Sequence, residues 1–68
     1  EYAEANQGFA IVRGVNPIAK GTLGDILAFA KESPDGTKIL QIALTEVDGK
    51  NVLPDVWYGV DLKQRRAA

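Results

Sequence analysis

The sequence predicts a small, mainly β domain of four or five strands, with one short helix as an option. Three observations carry that prediction. Residues 8–16 read as a strand with two distinct faces, and inward and outward residues alternate with a period of two over 56–62. Turn signals containing Pro, Gly and Asp separate these runs. Between two such signals, Pro34-Asp35-Gly36 and Asp48-Gly49, lies the most apolar stretch of the chain, residues 38–47, KILQIALTEV. As a strand it puts Leu40, Ile42 and Leu44 on one face and Ile39, Gln41, Ala43 and Thr45 on the other. Apolar groups on both faces mark a strand covered on both sides, so it reads as the central one.

The remaining elements follow in chain order. Residues 1–7, EYAEANQ, form a polar arm in which Tyr2 has the only substantial apolar body. Such a segment gains order from a contact and not from its own burial. Residues 8–16 read as a strand with Phe9, Ile11, Arg13 and Val15 on one face and Ala10, Val12 and Gly14 on the other, ended by Asn16-Pro17. Residues 21–32 read two ways. As a helix, Thr22 is the N-cap, Asp25 its acidic partner, and Leu23, Ile26, Leu27 and Ala30 the apolar stripe. As a strand, Leu23, Asp25, Leu27 and Phe29 face one way and Ile26, Ala28 and Ala30 the other. The periodicity and the low β-branched content lean towards the helix. In the turn at 32–37, Pro34 presets φ, Asp35 bonds its own downstream backbone and Gly36 accepts positive φ. A hairpin at 48–51 leads past Pro54 to a strand with Val56, Tyr58, Val60 and Leu62 inward, and residues 63–68 are a polar tail. The domain proper is thus 8–62.

Composition bounds the chemistry. Sixty-eight residues make one domain near the lower limit for a self-sufficient core. Without cysteine there is no disulfide, and without histidine the commonest transition-metal ligand is missing. No metal or cofactor is expected, and the lack of cysteine fits a reducing cytoplasm. A net charge of −1 argues against a nucleic-acid module. No apolar run approaches the roughly 18 residues that span a bilayer. The chain opens on Glu1 and not on methionine, which leaves room for a longer or processed product.

No catalytic constellation is visible. Asp25, Asp35, Glu46, Asp48, Asp55 and Asp61 fall at turns or on solvent faces, without the opposed pair that glycoside chemistry needs. Ser33, the only serine, has no histidine to act as its base. Gly21-Thr22-Leu23-Gly24 lacks the spacing of a phosphate loop, and Asp48-Gly49-Lys50-Asn51 that of a calcium loop. Lys63, Arg65 and Arg66 read as a solvated tail. Trp57 points away from Val56, Tyr58 and Val60, so it either anchors another protein or covers the far side of its own sheet. Tyr2, Phe9 and Trp57 are the candidate interface residues.

The order of these signals resembles a known family. I-A-K-G-T-L-G (18–24), D-G-T (35–37), I-A-L-T-E-V-D (42–48) and V-W-Y-G-V (56–60) together look like the head decoration, or capsid cement, proteins of tailed bacteriophages of the lambda type. The resemblance implies that Gly21-Thr22 enters a strand, that Ile42, Ala43 and Leu44 form the core strand, and that Tyr58 and Gly59 lie in the closing strand. It implies a non-enzymatic subunit, trimeric, on the virion surface after assembly in the host cytoplasm, whose arm (here 1–7) pairs with the major capsid protein. A second class stays open: an SH3-like or OB-like barrel that binds a peptide or nucleic acid, against which Tyr2, Phe9, Phe29, Trp57 and Tyr58 are dispersed. A small subunit of another large assembly is a third.

Overall fold

A computed structural model of the chain describes residues 2–5 and 8–66. The fold is mainly β, as the alternation predicts, but among the described residues there are seven strands and no helix. They are β1 (Tyr2–Glu4), β2 (Phe9–Gly14), β3 (Ile18–Lys20), β4 (Ile26–Glu32), β5 (Ile39–Glu46), β6 (Trp57–Gly59) and β7 (Gln64–Arg65). Two sheets result. One has the order β1-β3-β6-β7 and the other β2-β4-β5. The pairs β1–β3 and β2–β4 are parallel, and the rest are antiparallel.

The sheets meet across one core. Ala5, Ala19, Tyr58 and Val60 enter it from the first sheet's side, and Ala10, Val12, Leu27 and Phe29 from the second. Val47 and Val52 close one end. The inner face of β2 therefore carries only Ala10, Val12 and Gly14, while its larger residues Phe9 and Ile11 point to solvent. Small inward side chains let the sheets approach closely, and Leu27, Phe29 and Tyr58 fill what space remains. Tyr58 is buried with its hydroxyl satisfied, because Leu53 N–H donates to it at 2.7 Å.

Four features of the sequence reading are corrected. Residues 21–32 hold no helix. The T-x-x-D pair does form, with Thr22 N and Oγ1 both donating to Asp25 Oδ2 at 2.9 Å, but it closes a turn that feeds β4. With helix excluded, the strand alternation holds from Asp25 onward: Leu27 and Phe29 face in, Ile26, Ala28 and Ala30 face out. Leu23 is exposed instead.

Second, β5 is an edge strand and not a central one; β4, flanked by β2 and β5, takes the middle. Third, the strand expected over 56–62 stops at Gly59. Leu62 N donates to Gly59 O and Gly59 N to Lys63 O, closing a tight turn with Leu62 at φ 63°. Fourth, Gln64–Arg65, within the expected tail, returns as β7 against Trp57 and Tyr58. Arg65 lies flat over Gly59, where a Cβ would stand only 2.8 Å from the guanidinium carbon. A side chain at 59 would have to displace the guanidinium at the far end of Arg65.

The burial pattern makes a contrast that urea denaturation can check. Leu27→Ala, in β4, should lose about 3 kcal/mol of stability. Ile42→Ala, from the most apolar run, should change it by about 0.5 kcal/mol or less, as an exposed site does.

Candidate interaction surface

The outer face of the β2-β4-β5 sheet is built by register. Three rows cross it: Phe9–Ile26–Glu46, Ile11–Ala28–Leu44 and Arg13–Ala30–Ile42. In the last two rows the middle strand carries only alanine while its neighbours carry long side chains. Neighbouring strands lie about 4.8 Å apart, so β2 and β5 stand about 10 Å apart across that alanine floor. The result is a trough with apolar walls. Its β5 side opens into an apolar hollow of about 460 Å³ lined by Ala28, Phe29, Ile42, Ala43 and Leu44.

These walls are unusually bare. Ile42 is 74% exposed, Ile11 70%, Leu44 68% and Phe9 53%. A contiguous apolar patch of this kind is uncommon on a protein that works alone, because each side chain forgoes its transfer free energy. One end of the trough is polar. Arg13 Nε donates to Glu32 Oε2 at 2.6 Å there, and a second guanidinium nitrogen pairs with the same oxygen.

The three candidate interface residues do not come together. Phe9 lies on this outer face. Tyr2 and Trp57 meet on the first sheet, edge to face with ring centroids 5.2 Å apart, and Lys20 Nζ sits 5.0 Å over the indole. Trp57 is half-buried by these two neighbours, so part of its surface is spent within its own chain. Tyr2 remains 54% exposed. The outer-face residues Ile11, Ile42 and Leu44 were not among the interface candidates that the sequence offered. The available signal was the pairing of large residues on β2 and β5 with Ala28 and Ala30 between them.

The carboxylates are engaged in local structure. Asp35 Oδ1 accepts from Ser33 Oγ, Thr37 N and Thr37 Oγ1, which lower its pKa to about 2. Asp48 Oδ1 accepts from the backbone N–H of Lys50, Asn51 and Val52, and these bonds lower its pKa. Asp61 is lowered by its bond to Arg65 and by Lys63 N–H, and buried Asp25 by the two Thr22 donors. Each of these four aspartates therefore shapes a turn. Among the described residues no group of three or more acidic side chains could hold a metal ion.

Two outcomes follow. All four shifts are downward, so the ionised forms stabilise the fold above the unfolded carboxylate pKa of about 3.9. That contribution is lost as pH falls through the lower folded values. The urea midpoint should therefore hold from neutral pH to about 4 and drop as acid approaches the Asp35 value of about 2. Separately, Tyr2→Ala should shift Trp57 emission to the red and raise its quenching by acrylamide, leaving the far-ultraviolet circular dichroism unchanged.

Comparison of the chain with protein-family models, with curated proteins and with solved structures finds no match in any of the three.

Proposed function

We propose that this protein is a non-enzymatic structural subunit that decorates and cements a phage head by docking on its major capsid protein. The observation that supports this reading best is the inverted placement of side chains in the β2-β4-β5 sheet. On β2 and β5 the large apolar groups Phe9, Ile11, Ile42 and Leu44 face solvent, while Ala10, Val12 and Ala43 turn inward and only β4 sends large side chains, Leu27 and Phe29, to the core. A chain with so small an interior that still leaves these groups outside is arranged to gain stability from a neighbour. The resemblance of 18–60 to lambda-type decoration proteins supplies the kind of neighbour.

The physics is mass action. A subunit that binds only the closed shell favours that state by RT ln(1 + [L]/Kd) for each site filled. An apolar trough about 10 Å wide suits the ridge of a partner side chain or strand. Such docking draws on area and shape more than on charge, in keeping with the net charge of −1. The arm at 1–7 is a second point of attachment on this reading, with Tyr2–Glu4 already extended as an edge strand.

Co-sedimentation with empty phage shells tests it. Wild-type protein should pellet with the shells, with little change between low and high salt. Phe9→Ser and Ile11→Lys should each lower shell affinity about tenfold or more, at unchanged urea midpoint. Failure of the wild type to bind shells would remove the reading. A steep loss of binding to oligonucleotides with salt would replace it with the nucleic-acid one.

A further inference from the structure

Of the strands that border the two sheets, most are poor templates for another chain. β1 has three residues and β7 two. β2 carries Arg13 and runs through Gly14 towards Pro17. β5 differs: eight residues, no proline, no glycine and no charge before Glu46. Its one irregularity is a bulge near its start, where Lys31 pairs with Gln41 and Glu32 with Ile39, leaving Leu40 unpaired. From Gln41 to Glu46 the strand is regular.

The orientation of its free groups can be read from the ladder. Val47 N donates to Asp25 O at 2.8 Å. In an antiparallel pair such bonded positions alternate, so 45, 43 and 41 also turn their N–H and C=O towards β4. Ile42, Leu44 and Glu46 turn theirs to the open edge. Ile42 and Leu44 thus present a free backbone ladder together with bare apolar side chains, an arrangement that invites strand addition.

We infer that β5 pairs with β5 of a second copy, antiparallel, about a two-fold axis at Ala43. Pattern selects both partner and register. Pairing within the regular stretch must match outward-bonding residues with each other, which leaves few choices. With Ala43 on the axis, Ile42 of each copy faces Leu44 of the other on the outer face, and Gln41 faces Thr45 on the inner. Apolar meets apolar, and polar meets polar. A shift of one step towards the C-terminal end sets Glu46 against Ile42. A shift the other way draws in the bulge at Leu40. Charge agrees with the antiparallel sense, since Lys38 immediately precedes β5 and Glu46 ends it. Each end of the double strand then holds one of each sign, whereas a parallel pair would collect like charges.

Joined this way, the two three-stranded sheets become one of six strands, and the two bare outer faces form a single apolar surface. The contact spans about six residues, or roughly 20 Å. A single strand edge of that length buries less than a standard interface, about 800 Å² per partner, so the pair is reversible and fills as concentration rises. This inference departs from the trimer that the capsid resemblance implies, and because it concerns the protein with no shell present, its test is separate from that of shell binding. It is an isologous contact, which a closed trimer cannot repeat around its ring.

Size and a single cross-link test it. Sedimentation equilibrium from micromolar to millimolar concentration should show a monomer passing to a dimer. Leu44→Pro removes an N–H that points to the open edge and none that bonds β4, and should weaken dimerisation about tenfold or more. The double variant Ile42→Lys/Leu44→Lys should do the same by charge, so the test survives if proline perturbs folding. Because the chain has no cysteine, Ala43→Cys offers one thiol per copy. Facing residues at a non-bonded pair have Cα atoms about 4.5 Å apart, within disulfide reach, so mild oxidation should link the copies quantitatively. Asp35→Cys, in the turn before β5, should link far more slowly. A monomer at millimolar concentration, a trimer, or equal linking at 35 and 43 would overturn the inference. So would a monomer that instead takes up an apolar strand peptide at β5.

Discussion

Interior space in this protein is rationed by alanine. Ala5, Ala10, Ala19 and the half-buried Ala43 keep the gap between the sheets narrow, so only a few large groups fit inside it. Leu27, Phe29 and Tyr58 occupy those places. The placement of the other large apolar side chains follows from that limit. Phe9, Ile11, Ile42 and Leu44 have no interior to enter, and β4 becomes the middle strand because it alone brings two large side chains to the core.

How much of this was legible in the sequence depends on which side of a strand is asked about. Alternation in β2 sorted its residues into two faces, and the structure keeps that sorting. Which face was inner could not be read from hydrophobicity, because the less apolar set, Ala10, Val12 and Gly14, is the one inside. The same inversion misplaced β5. A run with Leu40, Ile42 and Leu44 looks like a strand covered on both sides, yet its inward positions are Gln41, Ala43 and Thr45, opposite Lys31, Phe29 and Leu27. Composition measures how much apolar surface a strand carries and not whether the chain has enough mass to cover it. The bare trough was readable only by pairing strands, and pairing is not a local property.

Turns were clearer, since their chemistry is local. Pro34-Asp35-Gly36 and Asp48-Gly49 form turns where their side chains indicate, each built around an aspartate oxygen that gathers neighbouring donors. The Thr22–Asp25 pair shows the limit of such signals. A hydroxyl and a carboxylate three residues apart can organise the first turn of a helix, and the same two groups can close a lone turn before a strand. What decided between them was the demand of β2 and β5 for a partner on each side of residues 26–32, a demand exerted from elsewhere in the chain. The turn at 59–63 gave less warning, because its left-handed position is occupied by Leu62, which packs half-buried on the core.

The order in which the strands are laid down has a kinetic side. β1 and β3 are neighbours in one sheet, yet β2, which joins them in sequence, belongs to the other; β2 and β4 are likewise joined through β3. Each parallel pair is thus laced through the opposite sheet. Neither sheet can be completed while the other is missing, and no half of the chain holds a finished layer. Only the β4–β5 and β6–β7 hairpins can form from local contacts. The remainder must close in one concerted step, which places this short chain among slow, all-or-none folders and leaves it without a separable subunit to lose by clipping.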